Sequence, residues 1–217
     1  MAALAAIVVI VPGAAHSAIA PLADGSACEL HVWPSAGFHT VHFGWLHGGT
    51  VDGPAKGRAG YQPMSAAPPS SDRQIELLRK LKPADLLGLS DFITVVHDQA
   101  LSSQEVQATP TRRVANSPAC YAELMIGDLI IQRNALIGDA LTALYRFRRF
   151  EGGLEPTRTF STFIQEPLRL LPPAANSAAV QPAMDEVETA YAKALAGFGQ
   201  ALRKPPPSAR KHMSNNR

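Results

Sequence analysis

The chain has 217 residues, of which 46% are hydrophobic and 18% charged, and its formal net charge is +2. This composition is typical of one globular domain with a sizeable core and short non-globular ends. Four of the 20 lysines and arginines fall in the last fourteen residues, which contain no acid, so residues 1–203 hold 16 basic residues against 18 acidic ones. The folded part lacks the basic field of a nucleic-acid-binding domain, and nucleic acid is not predicted as a partner.

The N-terminal segment has the order of a secretory leader. Residues 2–11 are apolar and uncharged, and they are followed by Pro12, Gly13 and a run of small residues up to Ala20. The apolar run is about half the length that a membrane-spanning helix needs, so the pattern predicts a signal peptide over residues 1–20. No basic residue precedes it, and a buried N-terminal strand or helix is the alternative. Export to the periplasm or cell envelope follows from the favoured interpretation.

A single domain is predicted over residues 21–203. It opens with a short strand from Cys28 to Trp33, in which apolar and polar residues alternate until Pro34 removes a backbone donor. Residues 35–70 are rich in Gly, Pro and Ser. We expect this stretch to form a long loop, because it shows little regular periodicity.

The next segments are a helix and a short strand. Ser71 is predicted as the N-cap of the helix, with Gln74 completing a capping box, and Pro83 marks its end. Residues 92–96 are β-branched and apolar, as in an interior strand. Residues 99–118 are polar and irregular, and no element is predicted there.

Two longer strands are predicted over residues 120–132 and 139–150, joined as a hairpin. The second strand alternates with a period of two, which is typical of a half-exposed antiparallel strand. The second strand and the connection before it carry several arginines, which make a cationic face on the hairpin. These arginines are capable of binding carboxylates or phosphates, but a solvated strand face is the favoured interpretation. They are Arg133, Arg146, Arg148 and Arg149.

Residues 183–202 have the three- and four-residue spacing of an amphipathic helix, with Val187, Tyr191, Leu195 and Phe198 on its apolar stripe. The residues after it, 204–217, are predicted to form a disordered basic tail. The strands are gathered in the middle of the chain without regular alternation with helices. The predicted fold class is therefore α+β, with a mainly antiparallel sheet and the long C-terminal helix packed on one face. A doubly wound α/β sheet is the alternative.

A group of histidines is the first candidate for a functional site. His31, His39, His42 and His47 fall within seventeen residues, next to both tryptophans. Imidazole is a common metal ligand, but the segment contains no His-x-x-x-His pair and no cluster of carboxylates. We therefore predict half-buried structural histidines, with no metal site and no cofactor. A hydrolase or metal-dependent enzyme that uses the His-rich region 31–47 is the alternative function.

A second candidate is the pair His97 and Asp98, which follows the predicted strand 92–96. Catalytic groups often occupy such strand ends. Adjacent residues of a strand cannot face each other, however, and no serine stands in a Gly-x-Ser-x-Gly turn to use them. A turn or capping role for Asp98 is favoured, and no catalytic residue is assigned.

Three stretches of the sequence resemble a group of uncharacterised exported proteins of sphingomonad-type bacteria. The resemblance spans most of residues 28–165 and implies an exported location, with no assigned activity. A cysteine that follows a leader and precedes a sheet domain is also similar to small envelope-assembly lipoproteins, at the level of the fold. The stretches are Cys28 to Pro34, the pairs Gly44-Trp45 and Gly48-Gly49, and Pro118 to Leu124.

The two cysteines, Cys28 and Cys120, are predicted to form a disulfide, since each opens a predicted strand and an oxidising compartment favours pairing. The alternative is lipidation of Cys28, because residues 25–27 have the small side chains of a lipoprotein cleavage box. Association with a membrane is expected only in that case. The favoured function is a non-enzymatic binding or assembly role; the sequence does not identify the partner, and another envelope protein is one candidate.

Overall fold

The computed structural model describes residues 27–43, 50–51, 69–108, 111–134, 138–170 and 178–205. The predicted signal peptide lies outside these residues, as do His47 and residues 206–217 of the predicted tail. The strands are β1 (Cys28–Trp33), β2 (Phe38–Phe43), β3 (Thr50–Val51), β4 (Phe92–Val96), β5 (Cys120–Asn134), β6 (Asp139–Glu151) and β7 (Arg158–Leu168). The helices are α1 (Ser71–Leu81), α2 (Pro83–Leu87), α3 (Ser103–Ala108) and α4 (Val180–Arg203).

Strand β5 lies at the centre of one mixed sheet. One edge of β5 pairs first with β1 and then with β2, both in parallel. Its other edge pairs with antiparallel β6, which in turn pairs with antiparallel β7. The sheet is completed by β4, parallel to β1, and by β3, antiparallel to β2. The two longest ladders are antiparallel, so the predicted α+β class with a mainly antiparallel sheet is confirmed.

Strands β1 and β2 follow one another along the same edge of β5, separated by a short break. Trp33 lies opposite Met125 and Phe38 lies opposite Leu129, so the β1–β2 side holds one residue more than β5 over the same distance. Pro34 lacks the N–H that a continuous ladder needs, which explains why β1 ends before it. Strand β2 lies within the range 35–70 for which a loop is predicted.

The side chain of Gln74 bridges the break by forming two hydrogen bonds with the backbone of Ser35. The backbone N–H of Ser35 donates to Gln74 Oε1 over 3.0 Å, and Gln74 Nε2 donates to the Ser35 carbonyl over 3.2 Å. The predicted capping box is therefore wrong. Ser70 is the N-cap of α1, with its hydroxyl accepting from the Arg73 N–H, and Gln74 is buried in the fold instead of reaching back to the cap.

Helix α4 packs on the same face of the sheet as α1 and α2, where it contacts β6 and β7. The predicted helix is confirmed, and its stripe is buried as the three- and four-residue spacing requires. Phe198 lies between two aromatic rings, with centroid distances of 4.9 Å to Tyr145 and 5.6 Å to Phe160. None of the described helices is long and apolar enough to cross a bilayer.

Cys28 and Cys120 form a disulfide between β1 and β5, with their Cα atoms 4.7 Å apart. The two strands are parallel and in register at their first residues, since Glu29 lies opposite Tyr121. The register therefore brings the cysteines side by side, although 92 positions separate them in the sequence. The bond ties the start of the domain's first strand to its central strand.

The face of the sheet opposite α4 is covered at one end by α3 and the irregular segments around it. A small apolar cluster forms there between the sheet and this cover. Arg146 on β6 donates from Nη1 to the carbonyl of Val106, 3.0 Å away on α3. The cluster consists of Trp33, Leu101, Val106 and Met125, with Val114 packed against it.

Candidate functional site

The candidate site lies on the face of the sheet that α3 and its neighbouring segments cover. Its first residues are on strand β1. Alternate residues of a strand point to opposite sides, so Leu30 and Val32 enter the main core while Glu29, His31 and Trp33 face the other way. His31 is only 5% exposed. The alternation that made β1 predictable thus also places a carboxylate, an imidazole and an indole together beneath the covering segment.

His31 is held at both ring nitrogens. Its Nε2 lies 2.8 Å from Glu29 Oε2, two positions away on the same face, and its Nδ1 lies 2.8 Å from Nε2 of His97. His97 directly follows β4, and its backbone N–H donates to the Val32 carbonyl over 2.9 Å. Pairing of β4 with β1 therefore creates the contact between the two histidines.

The His31–His97 contact constrains where protons can reside. A carboxylate accepts only, so Glu29 selects a hydrogen on His31 Nε2, and in the neutral ring Nδ1 then accepts from His97 Nε2. If both rings were doubly protonated, two N–H groups would face each other and the bond would be lost. Burial lowers the pKa of His97, and the nearby His31 and Arg113 lower it further, while Asp98 opposes them.

Trp33 packs against the ring of His97 and the guanidinium of Arg113. The His97 ring stacks on the indole with centroids 4.2 Å apart and planes within 3° of parallel. The guanidinium of Arg113 lies 5.6 Å from the centre of the Trp33 ring, within the range of a cation–π contact. His97 is thus held by stacking and by a hydrogen bond, and its ring orientation does not depend on Asp98.

Glu123 on β5 is the centre of a neighbouring buried network. It accepts from Nε of Arg148 over 2.8 Å, from the Tyr121 hydroxyl over 2.9 Å, and from the backbone N–H of Arg113 over 2.7 Å. Arg148 Nη2 donates to the same carboxylate oxygen and to the Thr111 carbonyl. Burial and the adjacent carboxylate raise the pKa of Tyr121, so this hydroxyl stays protonated and acts as a donor.

The prediction of a solvated arginine face is wrong for Arg148, which has no exposed surface. A period of two shows which residues share a face, but it does not show what covers that face. Here the segment around α3 covers it, and Arg148 is stabilised by an acid on the neighbouring strand and by a carbonyl of the cover.

The structure does not bring His97 and Asp98 together as a pair. Asp98 Oδ1 accepts from Arg79 Nη2 over 2.9 Å, while His97 turns towards His31. His39 and His42 lie three positions apart in β2. Within the described ranges, no group of three or more His, Cys, Asp or Glu side chains is arranged to hold a metal ion.

Sequence reasoning missed Glu29 and Glu123 as partners. The spacing of Glu29 and His31, two apart on one strand, was the available signal for the first contact. Nothing local indicated the second, because Glu123 and Arg148 meet through the register of β5 with β6.

A separate concave feature lies beside β4. It is a cleft of about 370 Å³ between the strand and the connection from α1 to α2. Thr94 and Val96 line one side, and Arg79, Lys82 and Asp85 line the other. Strand β4 is the last strand on this side of the sheet in the described part of the chain.

Two solved structures are similar to this chain at a low level. One is the crystal structure of a Xanthomonas campestris protein with the family designation DUF330, with 11% identity, a TM-score of 0.40, and coverage of 82% of this chain and 81% of that chain. The other is an uncharacterised protein with 11% identity, a TM-score of 0.33, and coverage of 82% and 92%. No protein-family model matches the sequence. No curated protein matches it either. Similarities this low assign neither a family nor an activity.

Proposed function

We propose that this chain is an exported, non-enzymatic protein that binds another protein of the cell envelope or helps to assemble a surface structure. The Cys28–Cys120 disulfide supports export, because structural disulfides persist in oxidising compartments and are rare in the cytosol. The leader-like segment 1–20 and the resemblance to exported proteins of sphingomonad-type bacteria agree with that location.

The proposal of a non-enzymatic role rests on the contacts that His31 and His97 already make within the fold. A general base must reach a substrate proton, directly or through one water. His31 is buried, and both of its ring nitrogens already lie within hydrogen-bond distance of Glu29 and His97. His97 is stacked against Trp33. This arrangement supports a structural role, in which the group fixes the covering segment to the sheet.

The test of location uses the full chain with its leader, expressed in a Gram-negative host and fractionated. We expect the protein in the periplasmic fraction, two hydrogen atoms lighter than its reduced form, with no thiol that reacts before a reductant is added. Protein in the cytoplasm with two reactive thiols would contradict export. A mass increase of a diacylglycerol group at Cys28 would instead show a lipid-anchored protein.

The test of the non-enzymatic role is metal analysis of the same purified protein. A metal-dependent enzyme would hold a transition metal in stoichiometric amount, bound by side chains that must be deprotonated. We expect no such metal. A stoichiometric metal that is lost in a His42→Ala, His47→Ala variant would support the alternative function, an enzyme that uses the His-rich region 31–47.

A further inference from the structure

We propose that the open edge of β4 is the docking site for an extended, acidic segment of a protein partner, which adds to the sheet as a further strand. The proposal rests on the proposed binding function and identifies the surface that performs it. Within the described residues β4 pairs with β1 and with no other strand. A strand edge of this kind offers a row of backbone donors and acceptors to another chain.

The register identifies the open backbone groups. The N–H of His97 donates to the Val32 carbonyl, so the backbone of His97 faces β1. In a parallel ladder the N–H and C=O of one residue point to the same neighbour, and successive residues alternate. Ile93 and Val95 therefore also face β1, while Thr94 and Val96 direct their N–H and C=O groups outwards.

The sequence of β4 lacks the usual protection of an edge strand. Natural edges are commonly guarded by charged side chains, prolines or bulges. Phe92 to Val96 contains no charged residue, no proline and no glycine. On the face opposite α4, Ile93 is 56% exposed. An added strand would cover this side chain and would also form hydrogen bonds with the outward N–H and C=O groups of β4.

The cleft lies directly beside these open groups. The side chains of Thr94 and Val96, whose backbone groups face outwards, line it together with the α1–α2 connection. Side chains of an added strand alternate between its two faces, so every second one would enter the cleft. Backbone hydrogen bonds would then supply affinity, and the cleft would select among segments.

The charges around the cleft favour an acidic occupant. Its lining residues include two cations, Arg79 and Lys82, and one acid, Asp85. No carboxylate in the described part of the chain forms an ion pair with Lys82. Arg79 pairs with Asp98, but both side chains are exposed, and solvent and salt weaken such pairs. A carboxylate on the incoming segment would compete with Asp98 for Arg79 and would find Lys82 without an ion-pair partner among the described residues.

The proposal is tested by selecting peptides from a random dodecapeptide display library against the full oxidised chain. We expect the enriched peptides to carry Asp or Glu and to lack a central proline. Val96→Pro should weaken their binding about tenfold or more, because it removes an outward donor but no bond to β1. Ile93→Lys should have a similar effect. Its matched control is Phe163→Lys, at an exposed apolar position on β7, which should leave binding unchanged.

Charge is tested with a second pair of variants. Lys82→Glu should weaken the acidic peptides about tenfold, whereas Lys80→Glu, at an exposed position of α1 outside the cleft, should not. Amide exchange at Thr94 and Val96 should slow when peptide binds. Melting temperatures of all variants are measured first, so that a folding defect is separated from a binding defect.

Three results would overturn the proposal. One is the absence of enriched peptides, and another is equal affinity for Val96→Pro and the unmodified chain. The third is a dimer in sedimentation that Val96→Pro dissociates, which would show that a second copy occupies the edge. Any of these can occur in protein that is exported and oxidised. Failure of the docking site is thus distinguishable from failure of the proposed function.

Discussion

Arg148 Nε donates to Oε2 of Glu123 over 2.8 Å, and neither side chain is exposed to solvent. Removing one partner of such a pair leaves an uncompensated buried charge, which costs about 3–5 kcal/mol. We expect Arg148→Met to lower the free energy of unfolding by this amount. Urea unfolding followed by circular dichroism measures it.

Arg146→Met is the matched control, because Arg146 lies on the same face of β6 but is partly exposed and donates to a carbonyl. It should cost much less than Arg148→Met. The double variant Arg148→Met, Glu123→Leu should recover part of the loss, since it removes both charges. Equal costs for the two single variants would contradict the expected extra penalty for breaking the buried pair.

Stability should fall as the pH decreases below about 6.5, with His97 as one cause. The pKa of His97 is lowered from its ordinary value of 6.5 in the folded protein, mainly by burial. The unfolded chain therefore binds a proton at a higher pH than the folded one, so acidification favours unfolding. The stabilisation is complete above the unfolded pKa and is lost towards the folded one. Urea unfolding between pH 8 and pH 5 gives the slope.

The variant His97→Gln should flatten this pH dependence, because glutamine does not titrate. Asp98→Asn is the control, and it should change this pH dependence in the opposite direction. The Asp98 carboxylate raises the pKa of His97, so its removal should lower that pKa further and widen the pH range over which stability is lost. An unchanged slope in His97→Gln would assign the pH dependence to other groups.

The disulfide should account for a large share of the stability. It joins residues 92 positions apart, and the loop-entropy description gives roughly 4.6 kcal/mol for a loop of that size. Cys28→Ala, Cys120→Ala should therefore unfold at a clearly lower urea concentration than the oxidised protein. Reduction of the unmodified chain should have a similar effect. If the double variant keeps the oxidised protein's midpoint, the bond does not stabilise the fold.

Gly199 on α4 allows close approach to α2. A Cβ added at this position would overlap the carbonyl oxygen of Leu86, so the backbone would have to move. Gly199→Ala should destabilise by about 1–3 kcal/mol, although alanine is the better helix former. At Gly197 the corresponding contact is a side-chain methyl of Ile164 at 3.2 Å, which has room to adjust. Gly197→Ala should be much milder, and a higher melting temperature for Gly199→Ala would contradict the packing.

Elements with a regular local pattern were predictable from the sequence. The spacing of Val187, Tyr191 and Leu195 predicted α4, and alternation predicted β1 and the β5–β6 hairpin. Such patterns lie in neighbouring residues, since they record which side of one element meets the core. The predicted capping box at Ser71 was wrong, because Ser70 is the N-cap and the Gln74 side chain bonds to the backbone of Ser35 in the break after β1.

The candidate site depended on the tertiary structure. His31 and His97 lie 66 residues apart, and only the parallel pairing of β4 with β1 brings their rings together. The burial of Arg148 depended on the segment around α3, which no local pattern predicted. The position of β4 at an edge of the described sheet likewise follows from the strand order. Periodicity is encoded by residues next to each other in the chain, whereas strand partners and the cover over a face are selected by contacts between distant segments. The sequence by itself therefore determined the elements with a regular pattern and their faces, and the tertiary structure decided which faces met and which strands lie at the edges of the described sheet.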